Sequence, residues 1–367
     1  MLIFELIGAL SLCAWIYLLT ARGGFWRIQA ALPAVPAPTA KCVCAVIPAR
    51  DEEAAVGEAV RSLAGQCARV IVVNDHSSDR TAEVASAAGA TVVAAGPLPA
   101  DWTGKLWALS EGVNAARPSN PDYFLFTDAD IVHSPHNVAD LVARAESEGL
   151  DLVSLMVQLR CRSLAERALV PAFVFFFFLL YPPAWISNRR YKTAGAAGGC
   201  ILIRPSALER IGGIAAIRGE LIDDCALARA VKAGGGVWLG MSEDTLSIRD
   251  YTTFGEIRRM ISRTAFTQLR HSALLLAGTI IGLAVIYLAP PLLLLTGDSL
   301  AAATGLAAWI LMIVAYLPIL RFYRRSLIWA PFLPLVALFY MTATLDSAMR
   351  YWSGRGGVWK GRVQDAR

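Results

Sequence analysis

The stretch that decides the fold is YFLFTDADIV, Tyr123 to Val132. Five of its first six residues are strand-forming, and two carboxylates follow, two residues apart. Successive strand side chains point to opposite faces, so this spacing predicts Asp128 and Asp130 on one face at the carboxyl end of a strand. Two like charges that close call for a counter-cation or solvent.

Working outward, CVCAVIPA (42 to 49), VIVVND (70 to 75), TVVAA (91 to 95) and LVSLMV (152 to 157) are short, nearly continuous apolar runs. Both faces of such strands are buried. Between them the spacing predicts helices over residues 52–63, 80–88, 105–116 and 137–148. Strand and helix in alternation mean an α/β domain, a mostly parallel sheet with helices on both faces. Ligands of such sheets sit beyond the strand carboxyl ends. The polar residues gather there, at Arg50 to Glu53, Asn74 to Asp79 and Asp128 to Asp130.

The rest of the 367-residue chain is different: 56% of all residues are apolar and 17% charged, and mean hydropathy is +0.50. Apolar runs at 2–20, 273–295, 300–320 and 327–345 each approach the ~20 residues that cross a bilayer's hydrocarbon core. The first lacks the basic flank of a secretory signal and reads as a retained anchor. Arg22, Arg27 and Lys41 follow it, and Arg321, Arg324 and Arg325 follow the third, which assigns both flanks to the cytoplasmic side; Asp298 then lies outside. Pro331 and Pro334 predict a fourth run that breaks into a re-entrant pair. The net charge of +5 clusters beside these runs, which favours a membrane surface over nucleic acid as partner. Residues 168–186, Phe-rich and ending in Pro182-Pro183, predict a helix lying along the membrane with its aromatic face in lipid, with a buried core helix as the alternative reading. Seven cysteines show no zinc-type pairing and read as reduced thiols of a cytosolic domain.

Paired acids at a strand end suit a hard divalent cation bridging carboxylates to substrate phosphates. His133 and His136 read as a helix entry, with Ser134 capping and Pro135 at the first helical position, rather than as metal ligands. Asp79 caps a helix, whereas Asp75, ending a strand, is placed to accept hydrogen bonds from a base or ribose. Lys105 follows Gly104 at a helix start, where a cation and free N–H groups meet phosphate or, equally, solvent. Gly198 and Gly199 precede a strand and let a ligand approach the backbone. Asp223 and Asp224 open another helix.

Together VIPARDEE, VIVVNDHSSDRT, GKLWAL, TDAD, AGGCILIRPSALERIGG and IDDCALA, in that order, resemble the motif set of family 2 glycosyltransferases with the GT-A fold. The C-terminal apolar runs and TQLRHS are similar to the hopanoid-associated branch, related to carotenoid and ceramide glycosyltransferases. The resemblance implies that Pro48, Arg50 and Glu52 line a nucleoside pocket, that Asp75 holds the base and that Lys105 lies near the donor. It implies Mg2+ or Mn2+ on Asp130, with Asp128 at metal and ribose, Asp224 as general base and Arg263 at the leaving diphosphate. Only Arg263 of the family's QxxRW motif is retained, in MISRT, which argues against a processive polymerase. The implied reaction is inverting transfer of one sugar, from a UDP-sugar, to a lipid acceptor at a bacterial-type inner membrane. A polyprenyl phosphate acceptor and a non-catalytic nucleotide-sugar scaffold are the rival readings. The expected organisation is an anchor (1–21), a linker (22–41), the GT-A domain (42–270), a membrane or re-entrant region (271–349) and a basic tail (350–367).

Overall fold

The structure, a computed structural model, describes residues 1–28, 41–359 and 362–365. The Pro/Ala-rich linker segment 31–40, and Lys360 and Arg367 of the expected tail, lie outside the described residues. The chain divides into two compact units.

One unit holds the described residues of Gln29–Arg160 and Trp185–Asp250. Its strands are β1 (Val43–Ala49), β2 (Arg69–Asn74), β3 (Thr91–Ala94), β4 (Tyr123–Thr127), β5 (Ile131–Val132), β6 (Leu152–Gln158), β7 (Cys200–Ile203) and β8 (Val237–Ser247). They form one mixed sheet in the order β3-β2-β1-β4-β7-β6-β8-β5. The stretch β3-β2-β1-β4 is parallel, as the alternation of strand and helix dictates. The sequence does not announce that β7 runs antiparallel to both β4 and β6, or β5 antiparallel to β8. All seven residues of β1 are buried, and each of its Val and Ile side chains contributes roughly 1.5–3 kcal/mol by leaving water.

Register is what brings chemistry to one edge. Ala49 lies opposite Asn74, so Arg50 and Asp75 emerge side by side. Thr127 lies opposite Cys200, which sets Gly198 and Gly199 beside the TDAD turn. Ile131 lies opposite Ser247, which delivers the end of β8 to Asp130. The helix Gly104–Ala116 is seated against β1 and β2 through Gly112, where any side chain would collide with Val46 and Val73.

Three local expectations are corrected. Strand β4 ends at Thr127 and Asp128 C=O accepts from Ile131 N–H (3.3 Å), so the two acids occupy a turn and share no strand face. The helix expected from Glu52 begins at Val56: the Glu52 and Glu53 N–H groups donate instead to Thr81 Oγ1 and Asp79 Oδ2, after Asp51 takes a left-handed conformation (φ 51°). The helix over 137–148 begins at Asn137 as its spacing predicts, but Pro135 lies ahead of it, so Ser134 is not its cap.

The other unit comprises Met1–Ile28, Cys161–Ala184 and the described residues of Tyr251–Arg367. Among the described residues, five helices are long and apolar enough to cross a membrane: Leu2–Thr20, Leu164–Ser187, Ala273–Leu293, Ser299–Phe322 and Leu327–Trp352. The second begins in a capping box formed by Ser163 and Glu166. Part of its aromatic face packs within the unit where lipid contact was expected: Phe175 and Phe178 are buried, Phe175 edge-on to Tyr316 and Phe25, and Phe176 lies against Tyr287 and Tyr340. Pro331 lies in a 3-10 turn and Pro334 in the first turn of Leu333–Trp352, where its missing N–H costs nothing. The expected break therefore does not occur, and 20 residues run on as one helix. In Ala273–Leu293 a π turn at Ala284–Leu288 precedes Pro290 and Pro291, and Trp15 Nε1 donates to its Ile286 carbonyl (2.8 Å). Arg350 pairs with Asp346 one turn earlier, and within the expected basic tail Gly356–Trp359 pairs antiparallel with Arg362–Asp365.

Candidate active site

The ends of β1 and β2 are stitched by their own loops. Ser78 N–H donates to Asp51 Oδ1 (2.7 Å), Asp51 N–H to Ser77 Oγ (3.0 Å) and Arg80 N–H to Glu53 Oε2 (3.0 Å). Asp79 accepts from the Thr81 N–H at 3.0 Å, but the N-cap position of the helix Thr81–Ala87 is Arg80, so Asp79 is not its cap as expected. These bonds hold Arg50 against β2: its Nη1 donates to the Asp75 carbonyl (2.8 Å) and lies 3.9 Å from Asp75 Oδ2. Asp75 is 1% exposed, and its other oxygen meets His76 Nδ1 at 3.2 Å.

At the end of β4 the two acids part. Asp128 Oδ1 pairs with Lys105 Nζ at 3.0 Å, and the same ammonium reaches Asp223 Oδ2 at 3.2 Å. Thr103 caps the helix that carries Lys105, and Asp223 opens its own helix, Asp223–Lys232. Burial alone would depress the Lys105 pKa, but Asp128, Asp223 and Asp224 more than reverse this and hold it well above the ordinary lysine range. Asp224 is fixed through both oxygens, Oδ2 by Gly198 N–H (2.9 Å) and Oδ1 by Cys225 N–H (2.7 Å). Burial, and then the neighbouring Asp223, raise its pKa to about 6 against the lowering effect of Lys105 and the two amides. A carboxylate so poised is ionised at neutral pH and still basic enough to take a proton.

Asp130, 7% exposed, turns to β8: its Oδ2 accepts from Ser247 Oγ (3.0 Å) and Arg249 Nε (3.1 Å). Arg249 Nη2 also pairs with Glu52. Burial raises the Asp130 pKa, and the guanidinium opposes the rise. Behind the turn, Asn137 Nδ2 donates to His133 Nδ1 (2.8 Å), His133 Nε2 bonds Thr127 Oγ1 (2.9 Å), and that hydroxyl donates to the Gly199 carbonyl (2.8 Å). With no neighbouring charge to support it, burial lowers the His133 pKa to about 4; this neutral ring is a structural pin.

Pro48, Lys105, Asp128, Gly198, Asp223 and Asp224 line one open pocket. A Cβ on Gly198 would lie 3.2 Å from Lys105 Nζ and 3.4 Å from Asp224 Oδ2, so a glycine there keeps the pocket floor low. The structure thus gathers Pro48, Lys105, Asp128 and Asp224, and sets Arg50 with Asp75 and Glu52 with Asp130 at the same sheet edge. Arg263 ends the helix Phe254–Ser262 in the other unit. Sequence reasoning missed Ser247 and Arg249, whose relation to Asp130 exists only through the β5–β8 register.

The donor set suits a hard divalent ion that binds few carboxylates and completes its shell on a diphosphate: two acids, one of which, Asp130, keeps Oδ1 without a protein hydrogen bond among the described residues. No group of three or more His, Cys, Asp or Glu able to hold a metal forms among the described residues. All seven cysteines are free thiols.

A mixed sheet of this order, with acids at the end of its fourth strand, defines a GT-A domain. A model of "Glycosyl transferase family 2" matches residues 44–212. The chain is 35% identical over 120 residues to a 4,4'-diaponeurosporenoate glycosyltransferase of Staphylococcus haemolyticus (strain JCSC1435), a match covering 30% of this chain and 31% of that relative. It is 39% identical over 94 residues to the Staphylococcus aureus (strain USA300) protein of the same name, covering 25% and 24% respectively. The matches therefore span less than a third of either relative's length. In fold, the chain is similar to a mannosyltransferase from Pyrobaculum calidifontis in complex with GDP-Man and Mn2+, with TM-score 0.56 and 16% identity over 94% of this chain and 98% of that one.

Proposed function

We propose that the protein is a membrane-bound, inverting glycosyltransferase that moves a single sugar from a nucleotide-diphosphate sugar, of the UDP type, to the hydroxyl of a lipid acceptor of the hopanoid class. One observation carries this reading: the Lys105 ammonium joins a donor-side acid, Asp128, to the helix start where Asp224 is held by two backbone amides. The carotenoid glycosyltransferase relatives support a lipid acceptor, and the apolar helices support a membrane site.

In this reading Pro48, Arg50, Glu52 and Asp75 form the nucleoside edge, and Arg50 orders Asp75 by binding its carbonyl. Lys105 balances the acids beside the diphosphate. Asp130 and Asp128 hold Mg2+ or Mn2+, which when bound supplies positive charge to the departing diphosphate. Asp224 accepts the acceptor hydroxyl's proton as that oxygen bonds to the anomeric carbon and the carbon–diphosphate bond breaks. Attack from the face opposite the leaving group inverts configuration. The Gly198 and Cys225 amides direct the carboxylate and pull its pKa down, while burial and Asp223 outweigh them and keep it basic. Arg263 serves the diphosphate on the family resemblance alone. The catalytic domain faces the cytosol of a bacterial-type inner membrane, where nucleotide sugars are made.

The test is to incubate membranes with a panel of labelled nucleotide sugars and extract the lipids. Wild type is expected to label one lipid from one donor, and Asp224→Asn to lose that label. Equal labelling by both would point to a phosphate acceptor that needs little base assistance, and no labelling from any donor would point to a non-catalytic scaffold.

A further inference from the structure

The Asp130 side chain already has a cation. Arg249 reaches it from beyond the end of β8 and spends its fork on two carboxylates, Nε on Asp130 and Nη2 on Glu52. Both Arg249 and Ser247 take the same oxygen, Oδ2, and Oδ1 has no protein partner among the described residues. Asp130 is therefore shaped to accept one further ligand, yet a fixed positive group, shared with Glu52, already lies 3.1 Å from its other oxygen. A second cation on the same buried carboxylate meets that guanidinium at short range, where protein screens far less than water. Arginine stays charged at any working pH, so the repulsion cannot be relieved by proton loss.

We propose that Arg249 is an internal competitor for the Asp130 carboxylate, and that it makes divalent-metal binding depend on the nucleoside diphosphate. A diphosphate brings the negative charge that lets both cations remain, one on Asp130 and one on Arg249. Metal without nucleotide is refused, and metal with nucleotide is admitted. The device ties Glu52, at the entrance of the nucleoside edge, to the metal acid through a single side chain. The inference rests on Asp130 being a metal acid, as proposed above, and goes beyond it by assigning Arg249 and predicting an order of binding.

The experiment measures Mn2+ binding by electron paramagnetic resonance on the full chain in detergent, with Mn2+ alone and with UDP or GDP added. Wild type is expected to bind Mn2+ weakly alone and much more tightly with the diphosphate. Arg249→Gln is expected to bind Mn2+ alone about tenfold more tightly or better, the scale on which partners of metal ligands act, and to lose most of the nucleotide effect. Arg249→Lys, which keeps the charge while losing the fork, is expected to behave as wild type does. Circular dichroism confirms that each variant is folded; should Arg249→Gln fail that check, Arg249→Met takes its place with the same expectation. If the neutral variant binds Mn2+ no more tightly than wild type, or if Arg249→Lys behaves as the neutral variant does, the competitor role is wrong and Arg249 merely orients Asp130. If wild type binds no Mn2+ even with UDP or GDP, the assignment of Asp130 to metal fails, and the inference fails with it.

Discussion

Asp128 and Asp130 are separated by one alanine, and their surroundings differ at every point. Asp128 faces an ammonium shared with Asp223 and stands at a pocket with Asp224; Asp130 is buried against a hydroxyl and a guanidinium shared with Glu52. The first environment couples the acid turn to the helix of the proposed base, and the second couples it to the loop after β1. The difference teaches that a DxD spacing is not one functional unit. It is two acids assigned to different halves of a site by the neighbouring strands.

The largest effect is expected where the first environment ends. Asp224→Asn should lower kcat about 10³-fold, within the range for loss of a general base, with donor KM little changed; single-turnover transfer assays check it. Because its pKa is raised to about 6, activity should fall as pH drops through that value, since the protonated acid cannot accept the acceptor's proton. Next comes Lys105→Met, which removes the ammonium common to Asp128 and Asp223. We expect about 10²-fold loss of kcat/KM, on the scale of losing a buried charge partner. Because Lys105 lowers the Asp224 pKa, its removal should also move the acid limb of the pH profile upward. An unmoved limb would separate the base from this cluster. A smaller effect, about tenfold in kcat, is expected for Thr127→Val, which frees the Gly199 carbonyl and loosens the neighbouring Gly198 amide on Asp224. Thr127→Ser should restore it.

Much of the fold was legible. Strands buried on both faces, such as VCAVIPA, read as unbroken apolar runs, and strand β1 ends within a residue of its expected limits. The grouping of Lys105, Asp128 and Asp224 was legible only through the order of six motifs, since each acid alone reads equally as a cap or a solvated turn. What stayed hidden depends on register. Ser247 and Arg249 lie more than a hundred residues from Asp130, in a segment without a recognisable motif, and the pairing of β5 with β8 joins them. Part of the aromatic face of Leu164–Leu180 was misassigned for a different reason: hydropathy is the same whether a phenylalanine meets a lipid tail or Tyr316. Likewise, Pro331 and Pro334 read as breaks because their positions at a helix start, where proline is harmless, cannot be fixed from an apolar run without boundaries.

The most direct test of the central claim, that the two neighbouring acids hold a nucleoside diphosphate through a divalent cation, is calorimetry of UDP and GDP binding to the full chain with Mn2+ or with chelator. The account predicts that wild type binds one of the two nucleotides at least tenfold more tightly with Mn2+ than with chelator, a margin of about 1.4 kcal/mol, and that Asp130→Ala abolishes the margin. Equal binding with and without Mn2+, or a margin that survives Asp130→Ala intact, would contradict it.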